Sequence, residues 1–328
     1  MSNFKALVVN KDDNAFTVEI SNLSLNDLPE GEVLIEVAYS SVNYKDGLAA
    51  IPDGKIVNSY PFVPGIDLAG TVVSSEDDRF KEGDKVIATS YEIGVSHYGG
   101  FSEYARIPAD WIVPLPEGLT MKEAMTFGTA GFTAALSIYH LENSGLKPSD
   151  GQVLVTGATG GVGSAAVAML AKLGYEVVAS TGKESSHDYL RDIGASEIIS
   201  REELQPEKIR PLDKQRWKGA VDPVGGKTLA YVLSTTKYGG AVAVSGLTGG
   251  PNVPTTVFPF ILRGVKLLGV DSVYCPMPIR QKLWQRIATD LKPSSIERIS
   301  NEVTLEELPK TLEDILAGKL TGRTVVAL

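Results

Sequence analysis

Short apolar runs separated by turn residues fill the first 120 residues of the 328-residue chain. The runs lie at residues 7–9, 33–39, 69–73, 86–88 and 111–113. Gly and Pro stand between them, as in Pro29-Glu30-Gly31 and Pro52-Asp53-Gly54. Because such runs between chain breakers are typical of strands, this part of the chain predicts a compact β barrel or sandwich.

The pattern changes near Thr120 to one that includes helices. Thr120 and Glu123 have the spacing of a capping box, and a helical stretch follows between Gly128 and Leu141. Beyond residue 152, strands are expected at 153–155, 177–179, 198–199, 220–221 and 241–244, helices at 164–173 and 189–193, then amphipathic helices at 279–291 and 305–316 and a final strand at 324–328. Since parallel strands need crossover connections, this alternation predicts a doubly wound parallel sheet in an α/β protein.

A glycine-rich loop, Thr156-Gly157-Ala158-Thr159-Gly160-Gly161-Val162-Gly163, lies between the predicted strand at 153–155 and an alanine-rich helix. Compared with the G-x-G-x-x-G fingerprint, Ala158 takes the first position, and Gly160 and Gly163 take the other two. The start of a helix carries unpaired N–H groups and a partial positive charge, and glycine lets a diphosphate approach them. The loop therefore predicts a dinucleotide site, with a plain tight turn as the alternative. The residues predicted to contact the cofactor here are Thr159, Gly160, Gly161 and Val162.

The residues after the next strand indicate which dinucleotide binds. An acidic residue at this position would bind the ribose of NAD, but the sequence reads Ser180-Thr181-Gly182-Lys183. Hydroxyl groups and an ammonium group suit a 2′-phosphate, whereas a carboxylate would repel it. Arg201, after the following strand, adds a second candidate cation. We therefore expect NADPH as the cofactor, with a solvated surface loop as the alternative. The residues predicted to bind it here are Ser180, Thr181, Gly182, Lys183 and Arg201.

Composition and charge argue against several other functions. Lys and Arg number 31 and Asp and Glu 40, a net charge of −9, which disfavours nucleic acid or an anionic membrane surface as the partner. The single cysteine, Cys275, and three histidines without metal-ligand spacing predict that the protein has no metal site. With no apolar run of about 18 residues and no recognisable secretory signal, we expect a soluble cytoplasmic protein.

Several motifs occur in the order found in a known superfamily. They are Asn43-Tyr44-Lys45-Asp46-Gly47, Pro64-Gly65-Ile66-Asp67-Leu68-Ala69-Gly70, Gly99-Gly100-Phe101-Ser102-Glu103-Tyr104-Ala105, Gly128-Thr129-Ala130-Gly131-Phe132-Thr133-Ala134, Asp222-Pro223-Val224-Gly225-Gly226 and Ser245-Gly246-Leu247-Thr248-Gly249-Gly250. Together with the glycine loop, they resemble the medium-chain dehydrogenase/reductase superfamily, and more narrowly its zinc-free YhdH/YhfP-type quinone oxidoreductases, which include acrylyl-CoA reductases. Zinc-dependent relatives carry a cysteine ligand near the position of Asn43 and a His-Glu pair where Ile66 and Asp67 stand. The resemblance is therefore to the zinc-free branch.

The resemblance implies two domains, a homodimer and a reaction. A GroES-like catalytic domain would comprise residues 1–120, completed by about 270–328, and a Rossmann domain would comprise residues 121–269. The cofactor would lie in the cleft between the two domains. The implied reaction is zinc-independent, NADPH-dependent transfer of hydride to an activated double bond, such as that of a 2-enoyl thioester like acrylyl-CoA. An NADPH:quinone oxidoreductase with the same site and a non-catalytic NADPH-binding sensor remain as alternatives.

The resemblance also assigns roles to residues outside the glycine loop. Tyr44 is expected to contact the cofactor or to steer a proton, and Asn43 is expected to donate a hydrogen bond to the substrate carbonyl. The alternatives are an aromatic wall for Tyr44 and turn stabilisation for Asn43. Asp46 and Asp67 are expected to cap a helix or turn, or to tune a local network. Further cofactor contacts are expected at Thr129, Leu247 and Val270, for which packing in a helix or the core is the alternative.

Overall fold

The computed structural model describes residues 3–12, 15–294 and 296–328, and the chain divides into two compact units. The first unit comprises Met1–Thr129, Val273–Ala288 and Ser300–Leu328, and the second comprises Ala130–Ser272 and Thr289–Ile299. In the described part of the chain, no helix is both long enough and apolar enough to cross a bilayer.

The strands and α-helices are numbered along the chain. The strands are β1 (Phe4–Lys11), β2 (Phe16–Leu23), β3 (Val33–Ser41), β4 (Asp67–Ser75), β5 (Lys85–Thr89), β6 (Tyr104–Ile107), β7 (Ile112–Pro114), β8 (Val153–Val155), β9 (Val177–Thr181), β10 (Glu197–Ser200), β11 (Trp217–Asp222), β12 (Thr236–Val244), β13 (Lys266–Gly269), β14 (Ser300–Thr304) and β15 (Arg323–Ala327). The helices are α1 (Tyr44–Ala49), α2 (Met121–Asn143), α3 (Gly161–Lys172), α4 (His187–Asp192), α5 (Gly226–Thr235), α6 (Phe258–Arg263), α7 (Met277–Ala288) and α8 (Leu308–Leu316).

The first unit is built on a mainly antiparallel sheet with the order β14-β15-β3-β4-β5-β7, and β6 also pairs with β3. β15 pairs antiparallel with β3, which places Val325 opposite Ser41. The last strand of the chain thus lies beside the strand that leads to Asn43. Alternate apolar residues of the sheet, such as Ile35 and Leu68, are buried in one core cluster, as half-buried strands require. The prediction that the first 120 residues are rich in strands is confirmed.

The second unit contains a parallel sheet with the order β10-β9-β8-β11-β12-β13. Every pair in this order is parallel, and α3, α4, α5 and α6 connect successive strands. The predicted doubly wound sheet is confirmed. The order reverses between β8 and β11, so the carboxyl ends of these strands form the edge at which ligands bind in such folds.

Helix α2 begins as predicted but contains a break. Glu123 N donates to Thr120 Oγ1 at 3.1 Å, and Thr120 N donates to Glu123 Oε2 at 2.8 Å, so the capping box is present. Gly128 has φ of 51° and ψ of −154°, which are not helical angles. The helical prediction therefore holds on both sides of Gly128 but not at Gly128 itself.

Other predicted boundaries were wrong for local reasons. Helix α3 begins at Gly161 rather than at Ser164, because the last loop residues already have helical geometry and Ser164 N donates to Gly160 O at 2.8 Å. Trp111 lies in a 3₁₀ turn, Ala109–Trp111, rather than in a strand. Helix α7 ends at Ala288 instead of Leu291, and helix α8 begins at Leu308 instead of Leu305.

Candidate cofactor edge and buried polar network

The glycine loop joins β8 to α3 at the carboxyl edge of the parallel sheet. Gly157 has φ of 55°, in the left-handed region that favours glycine. A Cβ atom on Gly163 would lie 2.3 Å from Gly157 O, so only glycine allows this close packing. Gly160 precedes the helix in extended geometry, and α3 is 12 residues long. The loop therefore has the shape needed for a phosphate to approach the first N–H groups of a helix.

The end of β9 is held by the hydroxyl group of Thr181. Lys183 N donates to Thr181 Oγ1 at 3.0 Å, and Thr159 Oγ1 lies 3.4 Å from the same atom. Ser180 and Thr181 are both buried, so these predicted 2′-phosphate ligands lie inside the turn, whereas Lys183 is half-buried. Burial lowers the pKa of Lys183. Lys183 and the loop backbone are thus the more accessible parts of this segment.

Arg201 lies against Gly182. A Cβ atom on Gly182 would be 2.7 Å from Arg201 Nη2, so the missing side chain makes room for the guanidinium group. Arg201 N donates to Thr181 O at 3.0 Å, which fixes the end of β10 beside the end of β9. The exposed Glu202 is also close, with its Oε1 3.9 Å from Arg201 Nε. The structure therefore brings the predicted cations Lys183 and Arg201 to the same turn.

Asp222 connects the glycine loop to the neighbouring strand, a role that the sequence analysis missed. Thr156 Oγ1 donates to Asp222 Oδ2 at 3.1 Å. The N–H groups of Val224 and Gly225 donate to Oδ1 at 3.0 and 2.6 Å. Burial raises the pKa of Asp222 to about 6. The sequence feature that could have shown this role is the motif Asp222-Pro223-Val224-Gly225-Gly226. In it, the carboxylate of Asp222 accepts hydrogen bonds from N–H groups of the turn that follows.

Leu247 and Val270 follow the last two strands of the sheet. Leu247 is 65 % exposed, and Val270 N donates to Val244 O at 3.0 Å, which continues the pairing of β12 and β13. The predicted contacts in the second unit all lie at or after carboxyl ends of parallel strands. These residues are Thr159, Gly160, Gly161, Val162, Ser180, Thr181, Gly182, Lys183, Arg201, Leu247 and Val270.

A buried polar network in the first unit is centred on Asp67. The carboxylate is fully buried, and its Oδ2 accepts from Ser41 Oγ at 2.6 Å and from Asn43 Nδ2 at 2.7 Å. Thr129 N donates to Oδ1 at 3.0 Å and to Oδ2 at 2.9 Å, and the Thr129 hydroxyl also donates to Oδ1. Ser90 Oγ lies 3.1 Å from Thr129 Oγ1. Asp67 thus connects β3, β4 and the break in α2.

Arg323 is the cation of this network, and nothing in the sequence analysis singled it out. It is 3 % exposed, and its Nη2 lies 3.7 Å from Asp67 Oδ2. Nη2 donates to Ser41 Oγ at 2.8 Å, and Nη1 donates to Asn43 Oδ1 at 3.2 Å. The only signal in the sequence was a charged residue at the start of the apolar final strand.

Asp46 caps the short helix α1 from within. Asn43 N donates to Asp46 Oδ2 at 2.8 Å, and Ile66 N donates to Oδ1 at 3.0 Å. Burial, and then the negative charge of Asp67, raise the pKa of Asp46 to about 7. The prediction that Asp46 and Asp67 cap local structure or tune a network is consistent with these bonds.

Asn43 and Tyr44 have different surroundings although they are adjacent. The two amide hydrogens of Asn43 are directed to Asp67 Oδ2 and, at 3.3 Å, to Ser41 O, and its oxygen accepts from Arg323. Tyr44 is the first residue of α1 and is 50 % exposed. The structure brings Asn43 and Thr129 together on Asp67. The roles predicted for Asn43, Tyr44 and Thr129 toward cofactor and substrate stay predictions.

Among residues 3–12, 15–294 and 296–328, no group of three or more acidic, histidine or cysteine side chains is placed to hold a metal ion. Asn43 and Asp67 are bonded to each other, Asn43 Oδ1 accepts from Arg323, and Arg323 Nη2 lies 3.7 Å from Asp67 Oδ2.

Comparison with known proteins decides the family. Residues 29–117 match the family described as "Alcohol dehydrogenase GroES-like domain", and residues 161–289 match "Zinc-binding dehydrogenase". The chain is 60 % identical over 326 residues to "Putative quinone oxidoreductase YhfP" of Bacillus subtilis, which covers 99 % of each chain. The chain belongs to the medium-chain dehydrogenase/reductase superfamily, in the zinc-free branch of quinone oxidoreductases and acrylyl-CoA reductases. The chain is also 53 % identical over 325 residues to "Acrylyl-CoA reductase AcuI" of Ruegeria pomeroyi, covering 98 % of both chains.

Solved structures of relatives have the same fold as this chain. The crystal structure of Bacillus subtilis YhfP with NAD bound has a TM-score of 0.98 and 59 % identity, over 100 % of both chains. The yhdH oxidoreductase from Salmonella enterica in complex with NADP has a TM-score of 0.96 and 48 % identity, over 99 % of both chains. The predicted GroES-like and Rossmann architecture is therefore confirmed.

Proposed function

We propose that this chain is an NADPH-dependent reductase of activated carbon–carbon double bonds, with a 2-enoyl thioester such as acrylyl-CoA as the substrate class. The observation that carries the choice of cofactor is the turn at Gly182, where Arg201 packs on the glycine backbone beside Lys183. Two cations at the end of β9 favour a 2′-phosphate by charge-assisted hydrogen bonds. The relation to AcuI supports the substrate class.

The residues present fit a bound dinucleotide. Gly163 has no room for a Cβ atom, Gly157 has a positive φ of 55°, and helix α3 starts directly behind this loop. We propose that the loop residues Thr159 to Val162 bind the diphosphate and that Lys183 and Arg201 bind the 2′-phosphate. The buried hydroxyl groups of Ser180 and Thr181 would shape this turn. Leu247 and Val270 would line the nicotinamide, and Tyr44 and Thr129 are proposed as further cofactor contacts.

Bound NADPH supplies the hydride, and the chain's own residues supply position and a proton. Adding hydride to the β carbon of an enoyl thioester leaves negative charge on the thioester side, which requires hydrogen-bond donors and then a proton at the α carbon. Tyr44 is half exposed at the start of α1, so we propose its hydroxyl as the group that steers this proton. Asn43 is proposed to hold the Asp67 network, since both its amide hydrogens are already engaged.

A metal ion is not required by this proposal. The acceptor is already electron-poor, so no Lewis acid has to polarise it. The carboxylate of Asp67, which stands near the zinc-ligand positions of other superfamily members, accepts hydrogen bonds on both oxygens and faces Arg323. These bonds support a zinc-independent reaction.

A second candidate function is reduction of quinones by NADPH. It is favoured by the 60 % identity to a protein named as a putative quinone oxidoreductase. A quinone is electron-poor in the same way and would accept hydride at the same site. The third reading, a non-catalytic NADPH-binding sensor, predicts tight nucleotide binding without any acceptor-dependent oxidation.

The test is anaerobic mixing of the purified protein with NADPH and a panel of acceptors, monitored at the absorbance of the reduced nicotinamide. Oxidation with acrylyl-CoA but not with quinones supports the first function. Oxidation with quinones alone replaces it with the second. Binding of NADPH without oxidation by any acceptor would leave only the sensor.

We further propose a cytoplasmic homodimer that binds neither nucleic acid nor membrane. The net charge of −9 and a single cysteine support the compartment and the lack of anionic partners. Within the described residues, β13 ends the parallel sheet, and its Leu267 is 41 % exposed; on α6, Ile261 is 68 % exposed and Leu262 is 56 % exposed. An apolar sheet edge is covered most simply by a second copy of the same edge. Sedimentation of the wild type and of Leu267→Lys tests this proposal. We expect a dimeric wild type and a weakened dimer in Leu267→Lys, and a monomeric wild type would contradict the proposal.

A further inference from the structure

We propose that Arg323 is a positioning residue, whose guanidinium group fixes the start of α1, with Tyr44, and the break of α2, with Thr129, in one arrangement. The proposal rests on the proposed reductase function, since it assigns Arg323 to the support of the residues that we place at the reaction. Arg323 acts through these neighbours and is not itself assigned to touch cofactor or substrate.

The hydrogen bonds of Arg323 reach two segments that are far apart in the sequence, residues 41–43 and the turn at Thr126. Nε donates to Thr126 O at 3.1 Å, in the last turn before the break of α2. Nη1 donates to Val42 O at 3.0 Å and to Asn43 Oδ1 at 3.2 Å, directly before α1. Nη2 donates to Ser41 Oγ at 2.8 Å, at the end of β3. One side chain therefore satisfies acceptors on both segments.

The geometry selects arginine over lysine. A guanidinium group carries five N–H donors in a planar fork, whereas an ammonium group is a compact point charge on a flexible stem. The bonds of Arg323 leave from Nε, Nη1 and Nη2 in different directions, which lysine cannot reproduce. Gly128 adds to the close fit, because a Cβ atom there would lie 2.8 Å from Arg323 Nη2.

Nearby negative charges also stabilise the buried guanidinium group of Arg323. Arg323 is 3 % exposed, and Asp46 and Asp67 are fully buried in the same unit. Burial lowers the pKa of Arg323, and the negative charges of Asp67 and Asp46 oppose that change. Removing one partner of a buried pair leaves the other charge uncompensated, which disturbs the local structure. Loss of Arg323 should therefore loosen α1 and the α2 break together.

The experiment compares Arg323→Lys with wild type, and uses Arg79→Lys as the matched control. Arg79 is in the same unit, is 56 % exposed and pairs with Asp77 on the surface. For Arg323→Lys we expect kcat to fall at least tenfold, the NADPH dissociation constant to change less than threefold, and amide hydrogen exchange to accelerate in peptides covering 42–50 and 126–131. Arg79→Lys should leave all three unchanged. In Arg323→Ala, added guanidinium ion should restore part of kcat.

Wild-type kcat and wild-type exchange in Arg323→Lys would overturn the proposal, and so would equal acceleration of exchange over the whole chain. If Arg323→Lys does not fold, the double variant Arg323→Met with Asp67→Asn removes both charges and is measured in the same way. Faster exchange confined to 42–50 and 126–131 in that variant supports the proposal, and unchanged exchange there rejects it. If none of the acceptors causes the wild-type protein to oxidise NADPH, the reductase function fails, whereas the exchange measurement still decides whether Arg323 holds these segments.

Discussion

The hydroxyl group of Thr156 lies 3.1 Å from Asp222 Oδ2 and donates a hydrogen bond to it. This bond joins the first residue after β8 to the last residue of β11, at the point where the strand order of the parallel sheet reverses. Asp222 also accepts from the turn at Val224 and Gly225. The glycine loop is therefore anchored on a buried carboxylate as well as on its own helix.

Replacing Thr156 by valine should weaken nucleotide binding. Valine has a similar shape but leaves Asp222 Oδ2 without this donor, and an unsatisfied buried acceptor costs about 1–3 kcal/mol. We expect the NADPH dissociation constant of Thr156→Val to rise about five- to tenfold, measured by quenching of protein fluorescence. Thr255→Val, an exposed threonine of the same unit, serves as control. An unchanged dissociation constant in Thr156→Val would show that the anchor does not shape the loop.

Replacing Gly182 by alanine should reduce affinity for NADPH but not for NADH. The new methyl group would lie 2.7 Å from Arg201 Nη2 and would displace the guanidinium group from the turn. Loss of a charge-assisted bond corresponds to about tenfold or more in affinity. In an Arg201→Ala background, Gly182→Ala should have no further effect. Calorimetric titration with both nucleotides checks this, and equal weakening for NADPH and NADH would remove Arg201 from the 2′-phosphate site.

Replacing Gly128 by alanine should destabilise the fold more than the same change at Gly145. Both glycines have positive φ, 51° and 102°. A Cβ atom on Gly128 would lie 2.5 Å from both Asp67 Oδ2 and Ser41 Oγ, whereas nothing lies within 4 Å at Gly145. The backbone effect alone is about 1 kcal/mol or more, and the clash adds to it only at Gly128. Urea unfolding measures the difference, and similar losses in both variants would contradict the tight fit around Asp67.

The pH dependence of stability should report Asp46. Its pKa is raised from the ordinary 3.8 to about 7, by burial and by Asp67. Between these values the folded state binds more protons than the unfolded state, so the free energy of unfolding falls as pH rises, by at most about 1.4 kcal/mol per pH unit. This contribution should be absent from Asp46→Asn and present in Asp53→Asn, an exposed aspartate of the same unit. Parallel pH profiles for wild type and Asp46→Asn from pH 5 to 7.5 would contradict the assignment.

Much of the second unit could be predicted from local patterns. The buried run at 153–155, the glycines after it and the alanine-rich helix are adjacent in the sequence, so periodicity and turn residues describe them directly. The start of α3 was misplaced because glycine has low helix propensity, although Gly161 is held in the helix by its surroundings. The burial of Ser180 and Thr181 also depends on packing that residue type does not reveal.

The network in the first unit could not be predicted in the same way. Asp67 is hydrogen-bonded to Thr129, and Arg323 to Asn43, although each pair is far apart in the sequence. Such contacts leave no periodic pattern in the sequence, and residue type alone does not distinguish a buried arginine from a surface arginine. Helix α1 was missed because it has only six residues and contains Gly47. Motifs found by resemblance marked Asn43 and Asp67 without showing what joins them.

The most direct test of the reductase function follows the hydride itself. NADPH carrying deuterium at the transferred C4 position is mixed anaerobically with the wild-type protein and acrylyl-CoA, and the product is analysed by mass spectrometry and NMR. The proposed function predicts propionyl-CoA with one deuterium on the β carbon and a solvent-derived proton on the α carbon. Absence of propionyl-CoA, or a product without deuterium, would contradict it.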